Sequence, residues 1–275
     1  MGIPVFKSAL TIMIPILFAA AGGLFPALCG TLNIALEGML LMGAFSSLAV
    51  YYFSGSIAAA IASAAAAAMV LCALHVFAAF KLRANIFISA LAVNLLSGGL
   101  CVVISGKLFN TKGVVAAQNA AAASPSGLVG WYLSCAIFLL VIAYFVIYKT
   151  PFGYHLRACE KSSEALASLG IAPESCKITA LFISAFFCGT GGSFLALNLG
   201  AFVPGMSAGK GWIALVVIFL GGRKPLGILA AAFIFSLAES FSNHAQGIWR
   251  IPSDFILAFP YVCTLLAMMI KRKTE

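Results

Sequence analysis

The seven residues Leu32-Asn33-Ile34-Ala35-Leu36-Glu37-Gly38 put a carboxylic acid and an amide inside a chain that is 63% hydrophobic and holds only seven Asp and Glu. A Glu at membrane depth costs at least a few kcal/mol, so it is kept where it faces a water path or a partner group. Chemistry of that kind belongs to a transport pathway. The plainer alternative is a Glu at a helix end near the headgroups. Glu160, Glu164 and Glu174 fall together in one polar segment and Glu275 is terminal, which leaves Glu37, Glu239 and Asp254 as the acids near apolar runs.

The other residues that can do chemistry form no centre. Of the eight Cys, Cys29, Cys72, Cys101, Cys135, Cys188 and Cys263 lie in apolar segments without C-x-x-C spacing and read as small buried hydrophobes. His75, His155 and His244 are far apart, so no metal site is expected. The segment Pro204 to Gly211 superficially resembles a phosphate loop. Pro204 stands where the first Gly belongs, however, and Gly211 replaces the Ser/Thr that would hold magnesium. With no H-E-x-x-H string and no paired-aspartate helix either, the chain is not read as an enzyme.

These residues must be positioned by membrane helices. Charged residues make up 8% of the chain, and several apolar stretches exceed 18 residues, too little polar surface for a soluble protein. Runs such as Ala58 to Val70 are continuously apolar and lack the alternation of a barrel strand. The expected fold is an all-α polytopic membrane protein with about nine spans (roughly eight to ten), each near ~20 residues. The runs are 8–28, 33–53, 56–80, 85–105, 128–148, 178–198, 208–221, 225–243 and 253–270. The 208–221 run is short for a full crossing and is read as tilted, broken or re-entrant. The break at Gly30 predicts that the 33–53 span begins with an unwound turn. One transmembrane domain is expected to cover 1–275, without a second, soluble domain.

Basic residues orient the loops. With Lys271-Arg272-Lys273 cytoplasmic, alternation also puts Lys81, Arg83, Lys149, Arg157, Lys161, Lys177, Arg223 and Lys224 inside, which is eleven of the sixteen Lys and Arg. Lys7, Lys107, Lys112, Lys210 and Arg250 then fall outside. The segment 149–177 holds four basic and three acidic residues and is where a soluble partner docks. In it Ser162 or Ser163 is expected to cap a short helix carrying Glu164 in its first turn, ended by Gly170 and followed by Pro173.

The string Gly153 to Ile171, G-Y-H-L-R-A-C-E-K-S-S-E-A-L-A-S-L-G-I, resembles the cytoplasmic coupling loop of permease subunits of ATP-binding-cassette importers. Glu164-Ala165 and Gly170 match the family's E-A-A-x-x-x-G spacing, with Leu166 departing at the third position. The string Gly30 to Phe45 resembles the N-I-G-x-E-G-x-M-L-x-G-A signature of the nucleoside and simple-sugar members, and Phe202 to Leu215 and Ile251 to Tyr261 are also similar to that branch. Three strings depart from it. Ala27-Leu28-Cys29-Gly30 stands where relatives carry E-R-S-G, Arg157 to Ser162 where they carry R-A-x-G-E-N, and Cys188 to Gly192 where they carry A-G-x-A-G.

The resemblance implies a permease in the cytoplasmic membrane moving a small polar solute. A nucleoside is favoured, with a simple sugar or a flavin such as riboflavin as alternatives. It implies separate ATPase subunits that bind the ATP and magnesium, a second permease, identical or related, and an extracytoplasmic solute-binding protein. Arg157, Glu160, Glu164, Ala165 and Gly170 would couple to the ATPase. The translocation pathway would be lined by the polar side chains left in apolar spans, Asn33, Glu37, Asn94, Ser97, Asn198 and Glu239, while the glycines 98, 99, 189, 191 and 192 let helices approach closely. Glu37 is expected about one helical turn from the cytoplasmic surface, with Asn33 capping its turn, in a structural role and not as a solute contact. An ion-coupled secondary transporter using Glu37 or Glu239 is the alternative class.

Overall fold

The computed structural model describes residues 2–116 and 125–248. The chain runs α1 (Gly2–Leu28), α2 (Leu36–Ser54), α3 (Ile57–Val76), α4 (Ile86–Phe109), β1 (Val115–Ala116), α5 (Pro125–Lys149), α6 (Pro151–Lys161), α7 (Ser163–Ser168), α8 (Pro173–Leu199), β2 (Ala201–Phe202), α9 (Lys210–Leu220) and α10 (Pro225–Ile248). Helix starts follow local chemistry. Ser56, Asn85, Thr150 and Ser162 accept first-turn amides at the starts of α3, α4, α6 and α7, and Pro begins α5, α6, α8 and α10. A π-helical turn, Phe77–Lys81, extends α3.

Seven helices, α1 to α5, α8 and α10, are long and apolar enough to cross a membrane, and α9 is a shorter apolar helix. These eight correspond to the first eight runs expected from the sequence. The 253–270 run, Arg250, Asp254, the Ile251–Tyr261 string and Lys271-Arg272-Lys273 lie outside the described residues.

α1, α2 and α8 form the buried centre, with α3, α9 and α10 around them. Close approach is achieved by removing side chains at the crossing of α2 and α8. A Cβ on Gly192 would stand 2.2 Å from the Leu40 carbonyl, and one on Gly43 would stand 2.8 Å from the Gly189 Cα. Gly98 and Gly99 do not act in this way, since nothing else in the described chain lies within 4 Å of where their Cβ atoms would be. That part of the small-residue expectation is corrected: α4 turns those glycines away from the core.

The two ends of the bundle differ. At one end Arg223 ion-pairs with Glu160, the Cys159 thiol is 3.8 Å from the Pro173 carbonyl, and Lys81 and Glu174 line one groove. The turns carrying Lys81, Arg83, Lys149, Arg157, Lys161, Lys177, Arg223 and Lys224 therefore share this end, as the charge pattern predicts. At the other end β1 pairs antiparallel with β2 (Val115 opposite Phe202), and Tyr52, Phe53 and Phe109 pack their rings together.

Candidate functional site

Two of the membrane crossings are only partly helical, and they meet. After α1 the chain turns at Gly30, in the left-handed region at φ +71°, and residues 31–35 are non-helical before α2 begins at Leu36. After β2 the chain turns repeatedly through residues 203–209 before α9 begins at Lys210. The start of α2 is buried and that of α9 half-buried within the bundle, where an unpaired amide is costly, and neither has a cap of its own. Ala35 and Gly209, the residues at the two N-caps, have no side-chain acceptor.

Both starts are capped by side chains from elsewhere. Asn94 of α4 accepts from the Gly38 amide at 2.8 Å and donates to the Ile34 carbonyl at 2.9 Å, closing the gap at the start of α2. Ser97 donates to the Asn94 carbonyl at 2.8 Å. Glu37, in the first turn of α2, accepts from the Gly209 amide at 2.9 Å and from the Gly211 amide at 2.7 Å, one on each carboxyl oxygen. It thereby caps α9, where the dipole of the helix favours a negative group. Gly211 permits this contact, since a Cβ there would stand 2.4 Å from the Glu37 nitrogen.

Asn33 is buried and differs from its expected role. Its Oδ1 accepts from the Ala35 amide at 3.1 Å in a local turn, and its Nδ2 donates to Ser184 Oγ of α8 at 3.0 Å, so it anchors the unwound segment and does not cap the turn of Glu37. Depth is corrected as well. Ser184 is eleven residues from Pro173 along α8, about 16 Å, and Gly22, which packs on the Ser184 backbone, is six residues before Leu28, about 9 Å. The Asn33–Glu37 junction therefore lies roughly 9–16 Å from the charged end, not one turn. The expected distance presumed helix from residue 33, whereas helix begins only at Leu36, after the non-helical stretch 31–35.

Lys210 is also moved. The sequence placed it in an external loop, but it begins α9 beside the two amides that hold Glu37, eleven residues and about 16 Å from the turn at Gly221. The 14-residue length of the 208–221 run was the sequence signal for this. Glu239 on α10 lies within electrostatic reach of Lys210, and one of its carboxyl oxygens is buried without a hydrogen bond. Asn198, one residue before the end of α8, likewise buries its Oδ1 without a partner. Asn33, Glu37, Asn94 and Ser97 thus converge on one junction. Asn198 and Glu239 are not bonded to it.

The polar segment forms a helical pair at the charged end. Ser162 caps α7 by accepting the Ala165 amide at 3.3 Å, Gly170 ends it at φ +78°, and Pro173 starts α8, as the residue pattern predicts. Glu164, Ala165 and Gly170 are exposed, as is Leu169, and Leu166 is the one residue of α7 that is buried. Arg157 lies over the rings of Tyr148 and Tyr154, 5.2 and 4.9 Å from their centroids. Glu160 is taken by Arg223, a residue that the sequence identified only as a loop charge.

Seven membrane-length helices, two broken crossings capped by side chains of other helices and an exposed charged helical pair at one end define a polytopic membrane protein. A family model described as branched-chain amino acid transport system / permease component matches residues 5–268, and the chain belongs to that family. It is 30% identical to the guanosine ABC transporter permease protein NupQ of Bacillus subtilis, over 92% of this chain and 87% of NupQ. It is 28% identical to the nucleoside ABC transporter permease protein NupC of Lactococcus lactis, over 93% of this chain and 88% of NupC. A second Lactococcus lactis protein, the nucleoside ABC transporter permease protein NupB, is 29% identical over 39% of this chain and 30% of its own length.

Proposed function

We propose that the chain is the transmembrane permease subunit of an ATP-driven importer of nucleosides in the cytoplasmic membrane, with residues 1–275 as one permease domain and its charged end, including the C-terminus, in the cytoplasm. The observation that carries this reading is the exposed α6–α7 pair, which touches both broken crossings at its base and presents Glu164, Ala165, Leu169 and Gly170 outward. ATPase subunits, which hold the ATP and magnesium, engage this pair and switch the pathway from outward to inward access. Arg157 orients α6 through its two tyrosines. Glu164, Ala165 and Gly170 form the partner contact.

The pathway runs between this chain and a second permease, past Asn33, Glu37, Asn94 and Ser97 at the junction and Asn198 and Glu239 beyond it. Similarity to two different nucleoside permeases of one organism supports a pair of unlike permeases, and a binding protein delivers the solute from outside. Nucleosides are favoured because NupQ and NupC, matched over most of their length, bear those solutes in their names. Simple sugars and flavins are the alternatives to exclude.

The test is reconstitution of the chain with its ATPases, second permease and binding protein in proteoliposomes, followed by uptake of radiolabelled guanosine, ribose and riboflavin. Guanosine uptake that requires internal ATP supports the reading. Uptake driven by a proton or sodium gradient in the absence of ATP overturns it in favour of an ion-coupled carrier using Glu239.

A further inference from the structure

Three separate segments meet at Glu160 on α6. Gly30 faces it so closely that a Cβ there would stand 3.4 Å from the Glu160 Cγ and 3.5 Å from its Cα. Arg223 donates from Nη1 to Glu160 Oε1. Arg223 is itself in the left-handed region, at φ +53°, with its guanidinium over the Phe219 ring at 5.5 Å. A non-glycine residue holds that conformation only where its surroundings fix it.

Both partners of Glu160 are roots of the broken crossings. From Gly30 the chain passes through residues 31–35 into α2, and Arg223 follows the last turn of α9. Further into the bundle the same two crossings are joined again, where Glu37, in the first turn of α2, holds the Gly209 and Gly211 amides. Glu160, Gly30, Glu37, Gly209 and Arg223 therefore close a ring through the molecule, every link of which is a direct contact, a helix or a short stretch of chain.

From this ring we infer that Glu160 and Arg223 form an internal strut that carries the movement of α6–α7 to both broken crossings together. Glu160 is then a positioning residue within the permease and not a contact to the ATPase. The inference rests on the ATP-driven reading for what moves α6–α7, and on geometry alone for what α6 is attached to. An ion pair as exposed as this one adds little to stability, so its loss leaves a folded protein in which transmission can be measured.

The experiment compares Glu160→Arg, Arg223→Glu and the double charge exchange in the reconstituted complex, at matched complex yield. Each single reversal is expected to lower guanosine uptake per ATP hydrolysed about tenfold while hydrolysis continues, and the exchange to restore most of it. A second readout needs no ATPase: hydrogen exchange of the purified chain in detergent, where Glu160→Arg speeds exchange of residues 29–35 and 207–211 together. Unchanged uptake per ATP in both single variants, an exchanged pair as defective as either single, or exchange altered in one segment alone overturns the strut. If the wild-type complex takes up no guanosine with ATP, the importer reading falls, and the hydrogen-exchange result still decides the strut.

Discussion

The helix starts of α7 and α9 solve one problem in opposite ways. α7 is exposed and closes its first turn with its own neighbour, Ser162, three residues from the amide it accepts. α9 starts half-buried among the other helices and is closed by Glu37, 172 residues away in sequence from the nearer amide. An exposed start needs only a local cap because water satisfies the remaining amides. A buried start must recruit a group from another helix, and that recruitment ties two crossings into one unit. The difference separates a segment exposed at the edge of the fold from a junction that holds two crossings of its own chain together.

The largest effect is expected at the buried junction. Glu37→Leu strands the Gly209 and Gly211 amides and should cost about 3 kcal/mol. A fall in the thermal midpoint of the purified chain, accompanied by a lower yield of assembled complex, is the measurement. Glu37→Gln keeps one acceptor oxygen and should lose less. A tenfold change in half-maximal solute concentration, with complex yield and ATPase activity intact, would instead make Glu37 a solute contact.

Next comes Asn94→Leu, which removes partners from the Gly38 amide and the Ile34 carbonyl in a similarly half-buried place. About 2 kcal/mol of destabilisation is expected, read from the same midpoint, with Ser97→Ala close to neutral because its bond stays within α4.

At the exposed start, Ser162→Ala should cost at most about 1 kcal/mol, felt only as faster hydrogen exchange in α7. If Ser162→Ala lowered the global midpoint as far as Glu37→Leu, the contrast between local and recruited caps would fail. Gly98→Ala, which adds a methyl into open space on α4, should leave both midpoint and yield within experimental scatter.

The same contrast explains what the sequence could reveal. The cap, stop and proline around α7 are written within twelve consecutive residues, and the structure places them as read. The apolar runs of α1 to α5, α8 and α10 were legible for the same reason, because a membrane demands length and hydrophobicity from each segment separately. Asn33, Glu37, Asn94 and Ser97 could be picked out as polar residues in apolar runs. Their pairing could not, because which amide Glu37 caps depends on where residues 203–209 descend. Helical spacing from Asn33 also misjudged depth, since the unwound turn expected after Gly30 was left out of that distance, and the structure starts the helix only at Leu36. Arg223 was hidden for a different reason: a cation in a short polar turn looks like any other orienting charge until its partner on α6 is seen.

The two-residue ribbon of β1 and β2 has a consequence for the face opposite α6. Phe202 is anchored in it, buried against the ring of Phe45 at 5.1 Å between centroids, and Gly209 is anchored at Glu37. The seven residues from 203 to 209 can span at most about 24 Å when drawn out straight. That length is a tether with limited slack. A partner that lifted the ribbon away from the bundle would first take up the coiled turns of 203–209 and then pull directly on the amides that Glu37 holds. The loops of this end are therefore leashed to the middle of the molecule, and their travel away from it is bounded by a count of residues and not by the strength of any one contact.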